Sequence, residues 1–216
     1  MEGVEVTAQP KMSPAHLSDQ DLLRRMLAGD EEAFTTLYRR WQRSIYRFAL
    51  QMSGSVAVAE DVTQEVFMAL IRQSHDYDPA RGPIAAYLFG IARNLVRRSI
   101  KSESTYVTLG EASQVEENPS SELLINRDGP LEEFRRNEAV ATVWQAVQSL
   151  PVHYREVVVL CDLNELRYSD AASILGCSLG TVRSRLHRAH ALLLNKLSRK
   201  RNDYPAEAGG AERCLA

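Results

Sequence analysis

Apolar side chains recur at every third or fourth position through most of residues 17–101, with very little of the alternation that is typical of strands. In one stretch they are Phe34, Leu37, Trp41, Ile45 and Phe48. Because this spacing puts the side chains on one side of an α-helix, it predicts a series of helices that each bury one face.

Capping and helix-breaking residues set the expected boundaries. Ser18, with Asp21 three residues later, begins the first helix, and Gly29 ends it. The second helix opens near Asp30 and ends around residues 53–55, the third covers about residues 58–73, and the fourth runs from about 84 to 101. Residues 75–83 form a loop because Pro79, Gly82 and Pro83 interrupt regular structure.

Residues 102–134 differ in composition from both flanking segments. Eight acidic residues stand against Arg127 alone between residues 102 and 133, and little apolar periodicity is present. This composition predicts a flexible acidic linker. Helical spacing then returns, and the expected core positions are Val140, Val143, Trp144, Val147 and Leu150. Pro151 follows as a first-turn proline of the next helix.

The pattern therefore predicts an all-α protein. Two small helical domains, residues 18–101 and 135–200, are joined by the linker at residues 102–134, with disordered ends at residues 1–17 and 201–216.

Composition agrees with an ordinary soluble protein, since 44% of the 216 residues are hydrophobic, 25% are charged and the net charge is −2. No apolar run approaches the roughly 20 residues of a membrane helix, and the first 16 residues lack the apolar centre of a signal peptide. Three cysteines without a close pair, Cys161, Cys177 and Cys214, argue against a disulfide framework. We therefore expect a cytoplasmic protein.

Residues 168–186, YSDAASILGCSLGTVRSRL, have the pattern of a helix-turn-helix. Ser169 caps a short helix, Gly176 ends it, and Ser178 caps the next helix. Ala171 and Ala172 are small enough to let two helices cross closely.

The helix after this turn divides into two faces when successive residues are rotated by about 100°. The apolar face consists of Val182, Leu186, Ala189, Leu193 and Leu197. The opposite arc consists of Thr181, Arg183, Ser184, His187 and Arg188. Arginine there can bond guanine in the major groove, while hydroxyls suit phosphate. A basic amphipathic helix for a membrane surface or a calmodulin-type partner is the alternative, but the capped helix before it favours DNA.

The histidines and cysteines form neither a metal-binding nor a catalytic pattern. His187 and His190 lie about 60° apart on an arginine-rich helix, and no close cysteine or histidine pair supports zinc. No nucleophile and base pair or phosphate-binding glycine loop is present. We therefore predict no metal, no cofactor and no catalytic activity.

Residues 59–73, AEDVTQEVFMALIRQ, form an amphipathic helix with an unusual polar side. The polar side, here called the docking ridge, consists of Asp61, Gln64, Glu65, Met68 and Arg72. The inward residues are Val62, Val66, Phe67 and Leu70. Carboxylates repel nucleic acid, so a protein surface is the expected partner, with a merely solvated face as the alternative.

Residues 84–101, IAAYLFGIARNLVRRSIK, combine a core stripe with a face suited to nucleic acid. The core stripe is Ile84, Leu88, Ile91 and Leu95, and another arc holds Tyr87, Asn94, Arg97 and Lys101. Residues 79–102 contain five basic side chains and no acidic one. An aromatic ring, an amide and cations on one face can stack an unpaired base, read its edge and hold its phosphates. The alternative is a half-buried packing role for Tyr87 and an incidental surface position for Asn94.

Three segments in this order, AEDVTQEVFMAL, AYLFGIARNLVRR and LPVHYREVVVLCDLNELRYSDAASILGCSLGTVRSRLHRAHALL, resemble the extracytoplasmic-function (ECF) type of sigma factor. Such proteins are promoter-recognition subunits of bacterial RNA polymerase. The resemblance covers nearly all of residues 18–198 and implies three partners: core RNA polymerase, promoter DNA and an anti-sigma factor.

The resemblance also implies a role for each surface. The docking ridge, Asp61, Gln64, Glu65, Met68 and Arg72, would bind the clamp helices of the largest polymerase subunit. The single-strand face, Tyr87, Asn94, Arg97, Arg98 and Lys101, would read the melted −10 element. The recognition arc, Thr181, Arg183, Ser184, Arg185, His187 and Arg188, would read the duplex −35 element.

Two positions depart from the family pattern. Tryptophan often stands where this chain has Tyr87, and glutamate-isoleucine-alanine is usual in place of Asp170, Ala171 and Ala172. The resemblance further suggests the hypothesis that the acidic linker threads the positively charged polymerase channel that later holds RNA.

A conventional DNA-binding regulator is the alternative from another functional class. It would combine a response-regulator-type helix-turn-helix with a sensory or dimerising first domain. Such a protein binds a duplex operator without polymerase, whereas a sigma factor selects promoters chiefly as part of the holoenzyme.

Overall fold

The computed structural model describes residues 16–73, 77–107 and 130–203, which form eight α-helices and no strand. The helices are α1 (Asp19–Leu27), α2 (Glu31–Ser53), α3 (Val56–Gln73), α4 (Ile84–Val107), α5 (Pro130–Gln148), α6 (Val152–Val158), α7 (Tyr168–Leu175) and α8 (Leu179–Asp203). A 3₁₀ turn at Pro79–Arg81 precedes α4, and a π-helical turn at Val159–Leu163 continues α6. The prediction of an all-helical protein is confirmed.

The chain divides into two compact units, residues 1–113 with 169–176 and residues 114–168 with 177–216. In the first unit α2 packs against α1, α3 and α4, and α3 packs against α4. In the second unit α8 packs against α5 and α6. Residues 169–176, which form most of α7, group with the first unit, whereas the sequence pattern assigns them to the domain at 135–200.

The predicted caps of the first unit are present. The Ser18 hydroxyl accepts a hydrogen bond from the Asp21 amide at 3.2 Å, which begins α1. The Asp30 carboxylate accepts from the amides of Glu32 and Ala33 at 3.0 and 3.1 Å and begins α2. Gly54, with φ of 78°, ends α2 in the left-handed conformation that glycine adopts without strain.

Both helices that flank the predicted linker are longer than the sequence pattern indicates. The helix α4 continues to Val107, and α5 begins at Pro130, so each takes up part of residues 102–134. No glycine or proline lies between Ser102 and Val107 to end α4, and a proline fits the first turn of α5. Residues 108–129, and with them most of the linker, lie outside the described residues, as do residues 1–15 and 204–216.

The core side of α4 is rotated from the predicted one. The predicted positions Ile91 and Leu95 are only half-buried. The buried side chains are Ile84, Ala85, Leu88, Phe89, Ala92 and Val96. The ring of Phe89 packs edge-on against that of Phe48, with centroids 5.3 Å apart, and is only 1% exposed. This contact turns the Phe89 side of α4 toward the core.

Two predictions for the second half of the chain are wrong in detail. Val143 is 45% exposed, because the buried side of α5 runs through Ala146 and Val147 and continues to Leu150 just after the helix. Ser169 does not cap α7, since that helix already begins at Tyr168 and the Ser169 hydroxyl bonds the neighbouring Asp170 carboxylate at 3.4 Å.

The cap at Asp30 gives stability a defined pH dependence. Its hydrogen bond from the Ala33 amide, followed by that from Arg25, lowers the pKa of Asp30 below the ordinary aspartate value. The ionised carboxylate is thus favoured in the folded state, and its contribution is present above the unfolded pKa and lost as pH falls through the folded one.

We therefore expect Asp30→Asn, which keeps a capping side chain, to melt below the wild type at pH 7. The difference in Tm should shrink as the pH is lowered from about 5 to about 3. Thermal unfolding followed by circular dichroism measures this, with Glu31→Gln in the same helical turn as the control. A wild-type advantage that stays constant over this pH range would contradict the assignment.

Candidate functional site

The docking ridge lies along the exposed side of α3. All five of its residues are exposed, while the predicted inward residues, Val62, Val66, Phe67 and Leu70, are buried. Arg72 pairs with Glu65 at 3.5 Å, but both side chains are at least half exposed, so this pair adds little stability. The ridge therefore presents carboxylates, an amide and the Met68 thioether, 37% exposed, to solvent.

Two shallow grooves flank the docking ridge. The groove between α2 and α3 has an aromatic lining that includes Phe34, Tyr38 and Phe67, with Tyr38 and Phe67 edge-on at 4.7 Å. The groove between α3 and α4 is lined by Asp61, Glu65 and Arg98, and Gln64 lines both grooves. Arg98, predicted to contact −10 DNA, thus lies beside the docking ridge.

The single-strand face occupies one side of α4. Asn94, Arg97, Arg98 and Lys101 are exposed, whereas Tyr87 is half-buried. The Tyr87 hydroxyl donates a hydrogen bond to the Gln73 carbonyl at the end of α3, at 3.1 Å. Tyr87 is therefore held in place by packing and by this bond, and its ring lies on the same side of the helix as the exposed amide and cations.

Tyr77, which the sequence pattern places in the loop at residues 75–83, completes this region. Its ring lies 5.5 Å from that of Tyr87 at 58°, and its hydroxyl donates to the Gly82 carbonyl at 3.0 Å. Asp78 caps the 3₁₀ turn by accepting from the Ala80 amide at 2.9 Å. Gly82 has φ of 143°, which other residues rarely adopt. The signal in the sequence was an aromatic residue inside an otherwise polar loop.

The predicted turn between α7 and α8 has the expected local geometry. Gly176 has φ of 63°, so it ends α7 in the left-handed conformation. The Ser178 hydroxyl accepts from the Thr181 amide at 3.1 Å and caps α8. These contacts confirm the helix end at Gly176 and the cap at Ser178.

The recognition arc lies opposite the buried stripe of α8. Val182, Leu186 and Ala189 are buried, as predicted, and Leu193 and Leu197 are half-buried. Arg183, Ser184, His187 and Arg188 are exposed, and Thr181 and Arg185 are half-buried. The first two turns of α8 therefore present cations and hydroxyls on their outer side.

His190 has a partner that the sequence did not reveal. Its Nε2 lies 2.7 Å from the Asp162 carboxylate in the π-helical turn that follows α6. Asn164 closes that turn by donating to the Val159 carbonyl at 2.7 Å. The imidazole thus links α8 to the π-helical turn that follows α6. Both side chains are partly exposed, so this bond adds only modest stability.

Two cysteines lie in the described residues, and both are free thiols: Cys161 is buried and Cys177 is half-buried. Burial raises the pKa of the Cys161 thiol to about 11, so it remains protonated at neutral pH.

Within residues 16–73, 77–107 and 130–203 no group of three or more histidine, cysteine, aspartate or glutamate side chains is arranged to hold a metal ion. None of the helices described is long and apolar enough to cross a membrane.

Comparisons with known proteins match both halves of the chain. The Sigma-70 region 2 family matches residues 37–105, and the Sigma-70, region 4 family matches residues 141–200. The ECF RNA polymerase sigma-E factor of Escherichia coli is 33% identical over 190 residues, which cover 84% of this chain and 95% of the relative. The chain belongs to the ECF family of RNA polymerase sigma factors.

A second relative of this sigma factor, the RNA polymerase sigma-H factor of Pseudomonas aeruginosa, is 33% identical over 178 residues, 79% of this chain and 89% of the relative. CnrH, solved in complex with the cytosolic domain of CnrY, superposes with a TM-score of 0.61 at 25% identity, over 84% of this chain and 97% of CnrH. RpoE of Bartonella quintana, solved in complex with the anti-sigma factor NepR, superposes with a TM-score of 0.60 at 24% identity, over 76% of this chain and 96% of RpoE. At this identity the likeness supports the fold alone.

The two family matches divide the surfaces of this sigma factor. The docking ridge, the single-strand face and Tyr77 all lie within the region 2 match, and the recognition arc lies within the region 4 match. Helix α1 lies entirely before the region 2 match.

Proposed function

We propose that this sigma factor binds bacterial core RNA polymerase and directs initiation at specific promoters, reading −35 DNA as a duplex and −10 DNA as an unpaired strand. The main support is the coincidence of three chemically distinct exposed surfaces with the two sigma regions, in the expected order. It acts in the cytoplasm and has no catalytic activity of its own.

Polymerase binding is assigned to the docking ridge. A helix with exposed carboxylates and amide, edged by Met68, suits the clamp helices of the largest polymerase subunit better than it suits DNA. Since Gln64 lines the grooves on both sides of the ridge, it occupies the middle of this surface. Arg98 and Arg72 supply positive charge beside Asp61 and Glu65 and limit binding to partners with complementary charges.

The single-strand face captures an unpaired −10 base. Unstacking a base costs a few kcal/mol, and stacking on an aromatic side chain returns about 1–3 kcal/mol per base. Tyr87 supplies the ring, Asn94 the hydrogen bonds to the base edge, and the cations Arg97, Arg98 and Lys101 hold phosphates. Binding energy therefore drives strand opening without nucleotide hydrolysis.

The recognition arc enters the major groove of the −35 element. Arg183 and Arg188 are both exposed on the outer arc of α8, where either can bond a guanine edge, as arginine does in helix-turn-helix proteins. The phosphate backbone of the flanking DNA is contacted by the half-buried Thr181 and Arg185 together with Ser184 and His187.

An anti-sigma factor is a further proposed partner, because both solved relatives named above share this fold and RpoE is held in complex with an anti-sigma factor. Binding of such a protein to region 2 or region 4 would block polymerase or promoter contacts by competition.

Reconstitution tests the proposed function directly. The purified chain is mixed with core RNA polymerase, assembly is measured by gel filtration, and the transcripts initiated on genomic DNA are sequenced. We expect stable assembly and start sites that share −35 and −10 elements. Failure to assemble, or initiation no different from that of core alone, would overturn the proposal. Sequence-specific duplex binding without polymerase would support the conventional regulator instead.

The docking ridge is tested by Asp61→Ala combined with Gln64→Ala. Losing two central contacts should weaken holoenzyme formation by about tenfold or more, measured as Kd by fluorescence anisotropy. Glu32→Ala with Gln73→Ala also removes one carboxylate and one glutamine side chain, at exposed positions outside the ridge and its flanking grooves, and should leave the Kd unchanged. Equal losses in the two double variants would argue against the ridge.

The recognition arc is tested by Arg183→Ala. If Arg183 reads a base, the variant holoenzyme should lose about 1–3 kcal/mol on the matched −35 element and less on one substituted at the base it reads. Arg199→Ala removes an exposed arginine far along α8 and is the matched control. A loss of equal size on all −35 sequences would assign Arg183 to a phosphate instead.

A further inference from the structure

The first turn of α1 contacts α2, which in turn packs against α4, the helix that holds the single-strand face. It does so although it precedes the region 2 match. Asp19 is at the centre of these contacts. One of its carboxylate oxygens accepts from the Arg40 guanidinium, and the other accepts from the Trp41 Nε1 at 3.1 Å. Arg40 also donates to the Leu17 carbonyl at 3.2 Å, so the start of α1 is tied to the middle of α2.

Trp41 connects this carboxylate to α4. Its ring stands perpendicular to that of Phe89, with centroids 6.5 Å apart, and Phe89 is the fully buried ring of α4. Tyr87 is two residues before Phe89, which places it on roughly the opposite side of the helix. Any rotation of α4 that moves Phe89 therefore also moves Tyr87 and Asn94.

Gln20, the next residue of α1, contacts the loop. It lies close to Tyr77, whose ring packs against Tyr87 and whose hydroxyl donates to the Gly82 carbonyl. The first turn of α1 is thus connected to α4 through Trp41 and Phe89 within the core, and it lies beside Tyr77, whose ring packs against Tyr87.

Charge argues that Asp19 acts through these neighbours and not by touching DNA. A carboxylate repels phosphates, and this one is only 23% exposed and paired with Arg40. Its two oxygens are both engaged with side chains of α2. It is therefore placed to fix the indole of Trp41 in one orientation.

We propose that Asp19 is a positioning residue for −10 recognition, which sets the orientation of Tyr87 and Asn94 through the Trp41 and Phe89 contact. This inference rests on the proposed reading of −10 DNA by the single-strand face. It extends the −10 site to a helix outside the matched family region.

The test uses full-length Asp19→Ala in holoenzyme, on a promoter mapped by the reconstitution described above. The −10 element carries 2-aminopurine, whose fluorescence reports unstacking, in duplex and in pre-melted form. Asp19→Ala should reduce discrimination between the matched and a base-substituted −10 element by about two- to tenfold, the range expected for loss of one hydrogen bond. The loss should persist on the pre-melted promoter, while the Kd for core polymerase stays unchanged.

Asp21→Ala is the matched control, because it removes the same charge from the same turn, and Asp21 pairs with Arg24 and Ser18. Trp41→Phe keeps an aromatic ring but removes the indole N–H that donates a hydrogen bond to Asp19. It should therefore reproduce the effect of Asp19→Ala. This second variant decides the matter if Asp19→Ala does not fold.

Three outcomes would overturn the proposal: unchanged −10 discrimination, an equal loss in Asp21→Ala, or a loss on every −10 sequence that parallels weaker binding to core. If the wild-type chain itself initiates at no shared promoter element, the proposed function fails. If the wild type succeeds and the variants equal it, only the positioning role fails.

Discussion

The packing of Phe89 against Phe48 and Trp41 fixes the angular position of α4, and the single-strand face depends on that position. Edge-on aromatic contacts at 5.3 and 6.5 Å have a preferred geometry, unlike contacts between aliphatic side chains. Because the polar side of an α-helix has a fixed relation to its buried side, a defined core orientation also defines where Tyr87 and Asn94 point. In α4 the core therefore sets the orientation of the proposed −10 binding surface.

The same relation between core and surface holds for α3 and α8. Val66 and Leu70 are fully buried, so the docking ridge on the other side of α3 is held in one orientation. Val182 and Ala189 likewise fix α8, and the Ser178 cap sets where its first turn begins. Each surface is thus polar and lies on a helix whose opposite side is closely packed, so the backbone beneath it has a defined orientation.

Much of this could be predicted from the sequence, since it depends on periodicity and caps. The ridge on α3, the ends of α2 and the Gly176 to Ser178 turn all follow from local rules and are present. The errors arise where tertiary packing decides. In α4 the packing of Phe89 turns the buried side away from the one predicted. In α5, side chains of α6 and α8 cover only part of the helix and leave Val143 exposed. Tyr77 and Asp162 were missed because their partners, Tyr87 and His190, lie ten and 28 residues away.

An unpaired base is bound more tightly by a rigid surface than by a mobile one, because ordering side chains and loops during binding costs free energy. In the described structure the aromatic pair is ordered before DNA arrives. The hydroxyls of Tyr77 and Tyr87 bond backbone carbonyls at the two ends of the loop, at Gly82 and Gln73. These bonds leave the hydroxyls less able to bond a base, so under the proposed function Tyr87 would contribute its ring face and Asn94 would read the base identity. Sequence preference at −10 is therefore expected to follow the amide more than the ring.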